Sequence, residues 1–179
     1  MESTISDDQK ALLIVDMQTG SFEDSPRWNA DGVVACLNEW ADRFRAEGAP
    51  VYWIMHDGTS FGDFIPGTSR WELVDGLVRR ADEPMIAKTA NDAFYGTGLA
   101  ERLRKERIQE VWIGGCATDF CVAATVQGAI FHDFDVKVLS GGHTTADRPH
   151  AKAEVIRAHY EYIWADWLPT QGKVEVVPR

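Results

Sequence analysis

Six short apolar runs, separated by segments of helical period, constrain the fold of this chain more than any other feature. ALLIVDM at 11–17, VYWIM at 51–55, MIAK at 85–88, EVWIG at 110–114, DVKVLS at 135–140 and VEVV at 174–177 all have strand length. The first is continuously apolar rather than alternating, as expected of a parallel strand covered on both faces. Between the first two runs, Asp31 caps a predicted helix to about Glu47, with Val33, Val34, Leu37, Trp40 and Phe44 on one stripe and Gly48 stopping it. Further helices are predicted from Thr97 to Arg107, from Cys121 to His132 and over 149–162. Strand and helix alternating at this spacing predict a three-layer α/β/α domain, Rossmann-like, with a mostly parallel central sheet and right-handed crossovers. The strand order is not contained in that pattern.

At 179 residues, with no repeat, low-complexity tract or linker, the chain reads as a single domain spanning 1–179. Its first ten residues, MESTISDDQK, read as a flexible segment without the basic and apolar parts of a secretory signal, so a cytoplasmic location is expected. No stretch approaches the roughly 20 apolar residues that cross a bilayer. A net charge of −10 argues against nucleic acid as a partner, since phosphate binding needs a basic surface. Three cysteines, an odd number, do not form a disulfide framework and suit a reducing compartment. The expected partner is a small-molecule substrate.

The chemistry collects where the apolar runs end. Asp16 closes the first, His56 the second and Lys88 the third, and the turn GGCATDFC at 114–121 follows the fourth. In open parallel sheets the ligand crevice lies outside the carboxyl ends of the strands, so these distant residues can converge. Singly, each has a plain structural reading: a turn cap for Asp16, a surface lysine for Lys88, a small core residue for Cys121. Together they form a nucleophilic set. A thiolate is favoured by a helix N-terminus and a nearby cation, which Lys88 can supply. Asp16 can take the thiol proton and return it to a leaving amine. The Gly114-Gly115 pair lets backbone approach a substrate closely, and amides at the helix start can hold an oxyanion.

The segments VDMQ at 15–18, KTANDAFYGT at 88–97 and GGCATDFCV at 114–122 resemble those of the isochorismatase-like cysteine hydrolases, which include nicotinamidases and carbamoyl-amide hydrolases. The resemblance runs from Ala11 to about Trp164. It implies a catalytic triad of Asp16, Lys88 and Cys121, a cis peptide between Cys116 and Ala117, an oxyanion hole from the amides of Ala117 and Cys121, and a homo-oligomer. It further implies cofactor-independent cleavage of a C–N bond in a small amide, lactam or carbamoyl compound through a thioester. Metal-dependent nicotinamidases of this family carry an Asp-x-His and a further His after the second strand. Here the segment reads His56-Asp57-Gly58 and the next histidine is His132, so no metal site is expected.

Two further departures concern the pocket: Thr19-Gly20-Ser21-Phe22 follows DMQ in place of the usual Asn-Asp-Phe, and Gly141 stands where many relatives carry an acid. Gln18, Phe22, His56, Tyr95 and His143 are the candidate substrate-binding residues, with Phe61, Phe64 and Trp71 as further loop aromatics. Cys36, on the amphipathic helix, is expected to be packing. Two alternatives accompany this reading. One is hydrolysis of an isochorismate-type vinyl ether, whose family members lack the cysteine. The other is a non-catalytic binding or assembly protein that has kept the fold.

Overall fold

The structure is a computed structural model that describes residues 9–179; the flexible segment expected over 1–10 lies outside the described residues as far as residue 8. Strand β1 (Lys10–Val15) occupies the middle of a six-stranded sheet. It is flanked by β2 (Val51–His56) and β4 (Glu110–Cys116), with β3 (Met85–Lys88) beyond β2 and β5 (Asp135–Thr144) and β6 (Val174–Val177) beyond β4. The order is therefore β3-β2-β1-β4-β5-β6, and every pairing is parallel. This is the doubly wound arrangement, in which the connections leave β1 and β4 in opposite directions and open a crevice between their carboxyl ends.

The continuous apolarity of β1 has its cause in the layers on either side. Ala11, Leu13 and Val15 face one apolar cluster, shared with α3 (Leu99–Lys105), α4 (Ala123–Phe131) and Trp164 of α5 (Ala153–Ala165). Leu12 and Ile14 face the other, built on Val33, Leu37, Trp40 and Phe44 of α2 (Ala30–Ala46). These strand side chains are almost wholly buried, and burying a Leu, Ile or Val contributes about 1.5–3 kcal/mol each.

Several boundaries differ from the sequence expectation, each for a local reason. β1 ends at Val15 because Asp16 turns into the left-handed region, φ 46°. An unexpected short helix, α1 (Thr19–Asp24), follows. α2 begins after Asn29, itself left-handed at φ 46°, so Asp31 lies in the first turn and is not the cap. α3 begins only at Leu99, since Gly98 has φ 70°. β5 runs on to Thr144, four residues past Ser140. α5 starts at Ala153, because Arg148 and Ala151 first pair in an isolated antiparallel bridge. The helix expected from Cys121 starts earlier, with a wide π-type turn over Thr118–Val122 that leads into α4.

The Gly114-Gly115 pair also has a different task from the one expected. Both belong to β4 and meet neighbouring strands, not the crevice. A side chain on Gly115, which has φ 136°, would put its Cβ 2.0 Å from the Val15 carbonyl oxygen, and one on Gly114 would sit 2.6 Å from that of Gly142. Only glycine lets β4 run this close to β1 and β5.

Candidate active site

Asp16, Lys88 and Cys121 arrive at the crevice from three separate elements. The left-handed turn at Asp16 is held by its N–H, which donates to the Ile54 carbonyl at 2.9 Å. Its side chain is buried and forms a 2.6 Å ion pair with Lys88 Nζ. Neither Asp16 oxygen makes an aligned hydrogen bond among the described residues, which leaves lone pairs available to accept a proton. Lys88, the last residue of β3, is 1% exposed, so the surface-lysine reading does not apply. Its ammonium is ion-paired with Asp16, donates to the Ala90 carbonyl at 2.9 Å and lies 3.4 Å from His56 Nδ1. Burial and the Lys88 charge hold the His56 ring below the usual imidazole range.

Cys121 sits in the π turn, one carboxylate oxygen of Asp16 and a ring nitrogen of His56 both lying within 4.8 Å of its sulfur. These three residues are also a ligand-type cluster. The Lys88 ammonium stands against two of them, placing a fixed positive charge beside the point where a metal ion would sit. The environment of the thiol differs from the sequence expectation of a favoured thiolate. Burial, and then the charge of Asp16, push the Cys121 thiol up from its ordinary value, and Lys88 offsets this only in part. The resting group is the thiol, with a base beside it.

The π turn is braced from behind. Thr118 Oγ1 lies 2.8 Å from His143 Nδ1, and His143 Nε2 lies 3.0 Å from Glu161 on α5. Thr145 and Arg148 bind Asp119, at 2.5 Å and 2.8 Å. His143, fully buried, thus supports the turn that carries Cys121 and does not face substrate. Glu161 supplies the carboxylate beside it that Gly141 cannot. The peptide between Cys116 and Ala117 is cis.

A cavity of about 290 Å³ opens over these groups. Asp16, His56, Cys121 and Ala117 line it, with Phe61 and Phe64 on the side of the 57–70 loop. Three of the candidate binding residues take other roles. Phe22 packs against the apolar cluster under α2 and is not part of the cavity wall. Tyr95 is 72% exposed and lies outside the cavity. Gln18 borders it, but its amide is committed to the backbone: Oε1 accepts from His56 N–H at 2.8 Å, and Nε2 donates to the carbonyls of His56 and Trp71, both at 3.1 Å. Gln18 is a clamp that holds the end of β2, and with it His56. Cys36 is fully buried in the packed face of α2, as expected.

Gln18→Ala should therefore destabilise the protein by about 3 kcal/mol, the sum of three modest hydrogen bonds left unmade in a buried place. Urea unfolding of the two proteins measures this, and a loss below about 1 kcal/mol would mean the clamp is dispensable.

The sequence reading missed Asn91, whose Oδ1 lies 3.6 Å from Cys121 Sγ, and also Arg27, Phe120 and Arg148 in the wall. A signal for Asn91 existed, three residues after Lys88 in the same motif. Nothing marked Arg27.

The family model described as Isochorismatase domain matches residues 10–163. A streptothricin hydrolase of Streptomyces noursei is 31% identical over 174 residues, covering 94% of this chain and 68% of that protein. The nicotinamidase of Escherichia coli (strain K12) is 30% identical over 141 residues, 74% of this chain and 62% of that protein. A crystal structure of an isochorismatase family protein superimposes with a TM-score of 0.84 at 26% identity, over 96% of this chain and 98% of the other.

Proposed function

This chain belongs to the isochorismatase family of hydrolases, and from that premise we propose that it cleaves the C–N bond of a small amide, lactam or carbamoyl compound with Cys121 as nucleophile. The observation that carries the reading is the meeting of Cys121, the buried Asp16–Lys88 ion pair and a neutral His56 in one cavity, in a chain similar to a streptothricin hydrolase and a nicotinamidase.

Asp16 takes the thiol proton as Sγ attacks the carbonyl carbon. Lys88, ion-paired with Asp16 at 2.6 Å, holds its carboxylate in place. The amides of Ala117 and Cys121 receive the tetrahedral oxyanion, and His56, which lines the cavity, is placed to orient the substrate. Asp16 then gives the proton to the leaving nitrogen as the C–N bond breaks, which yields ammonia or an amine and a thioester. Water, losing a proton to Asp16, attacks the thioester and releases the acid and the free thiol. A protein that only binds has no need of a buried lysine, a buried acid and a cysteine converging on one cavity. A vinyl-ether hydrolase has no need of the cysteine.

The test is a screen of small amides, lactams and carbamoyl compounds for release of ammonia or amine, with Cys121→Ala as blank. Product from the wild type alone supports the reading, and none from any class rejects it. The raised thiol gives a second expectation. Iodoacetamide labelling of Cys121, followed by mass spectrometry, should climb with pH through neutrality and past the ordinary thiol value of 9.0, because burial and the Asp16 charge disfavour the free thiolate. A rate that levels off near neutral pH would mean that the resting group is a thiolate.

A further inference from the structure

We propose that Arg27 is the anion-recognition residue of the catalytic cavity, so that the substrate bears a carboxylate or a comparable anionic group on the side facing Arg27. This deepens the amide-hydrolase reading and rests on it.

Each charged side chain lining the cavity other than Arg27 contacts an opposite charge. Asp16 has Lys88 at 2.6 Å. Arg148 has Asp119 at 2.8 Å. Asp24 has Arg70 at 2.9 Å, a guanidinium that Asp63 and Glu23 also contact. Arg27 lines the same cavity and makes no ion pair or hydrogen bond among the described residues. Its Nε is buried without an acceptor. A buried donor left unmade is costly, so an arginine kept in this state points to an acceptor that arrives from outside. Arg79 also has an unpartnered Nε, but its Nη2 donates to the Glu83 carbonyl at 2.6 Å, so that guanidinium is anchored in the fold. Arg27 has no such anchor.

Its backbone, by contrast, is fixed. The next residue, Trp28, donates its N–H to the Thr145 carbonyl at 2.9 Å and accepts from Thr144 Oγ1 at 2.6 Å. The Trp28 ring lies 3.9 Å from the Arg157 guanidinium. The segment is thus tied to the carboxyl end of β5, and Arg27 projects from a rigid base. A planar fork of donors on such a base suits a carboxylate, which it can bind through two parallel N–H bonds. A cationic substrate would meet an unmatched like charge.

Charge selectivity can be read at Cys121 without turnover. Iodoacetate and iodoacetamide differ only in the anionic group, and the ratio of their labelling rates at Cys121, at one fixed alkaline pH, reports the field of the cavity. Arg27→Gln should lower the iodoacetate-to-iodoacetamide ratio about tenfold, the size of a lost charge-assisted contact. Arg27→Lys should keep most of it. A ratio that stays within about twofold of wild type in Arg27→Gln overturns the proposal. If Arg27→Gln does not fold, Arg27→Met and the wild-type ratio at rising salt decide, and a ratio that moves in neither overturns it. The two readings fail separately. No amide turned over, with a ratio that falls in Arg27→Gln, rejects the hydrolase and keeps the subsite. Neutral amides turned over, with an unmoved ratio, keep the hydrolase and reject the subsite.

Discussion

Cys121→Ala is expected to lose turnover by about 10⁴-fold or more while the protein stays folded, because removing the nucleophile of a group that acts as a unit leaves only binding and oxyanion stabilisation. The fold should tolerate the change. Cys121 is half-buried at the cavity wall, and its sulfur lies 3.6 Å from Asn91 Oδ1. Cys36→Ala is the matching control for thiol loss elsewhere, since Cys36 is buried on the packed face of α2 and does not line the cavity. The measurement is ammonia or amine release by freshly purified variants, on the substrate class found by screening. Hydrolysis retained by Cys121→Ala at more than a hundredth of the wild-type rate, about two decades short of the expected loss, would assign the chemistry to another group.

Lys88→Met should be severe in two ways at once. Lys88 Nζ is the buried counter-charge of Asp16, and methionine fills the stem without the charge. The carboxylate would then be buried and unpaired, a state that typically costs about 3–5 kcal/mol. Turnover should fall with it, because the base loses the partner that holds it beside the thiol. The double variant Asp16→Asn/Lys88→Met separates the effects. It removes both charges and should regain much of the stability while remaining inactive. Urea unfolding of the wild type, the single and the double variants forms a cycle that isolates the pair. If Lys88→Met unfolds within about 1 kcal/mol of wild type, the ion pair is not holding the site.

The sheet was legible from sequence because its strands are buried on both faces and leave unbroken apolar runs; MIAK and VEVV match β3 and β6 residue for residue. The meeting of Asp16, Lys88 and Cys121 was legible because the carboxyl ends of parallel strands share one edge of the sheet. What failed was direction. Gln18, Phe22, Tyr95 and His143 sit in segments that carry site residues, yet sequence does not reveal which way a loop side chain points. Gln18 is consumed by backbone groups at positions 56 and 71, a contact over 38 and 53 residues that no local pattern encodes. Boundaries moved where single residues entered the left-handed region, as at Asp16 and Asn29, and neither is a glycine that would announce it. The thiol was misjudged for a related reason. The charges around Cys121 could be counted from the motifs, but the burial that outweighs Lys88 arises only when the turn is packed.

Placing β1 at the centre of the sheet has a consequence for the chain's synthesis. β1 pairs Leu12 with Val51 on one side and with Trp112, a hundred positions later, on the other. It is made first, and one of its edges waits for β4. Until then a strand that is apolar from Ala11 to Val15, with free N–H and C=O groups on one edge, is available to other chains. Closing the β1–β4 pair requires a long loop to be ordered, which slows folding in proportion to such non-local contacts. That same closure brings Asp16 alongside the turn that carries Cys121, so the nucleophile acquires its base only when the slowest pairing is complete. Recovery of enzymatic activity during refolding would thus time the longest-range pairing of the sheet.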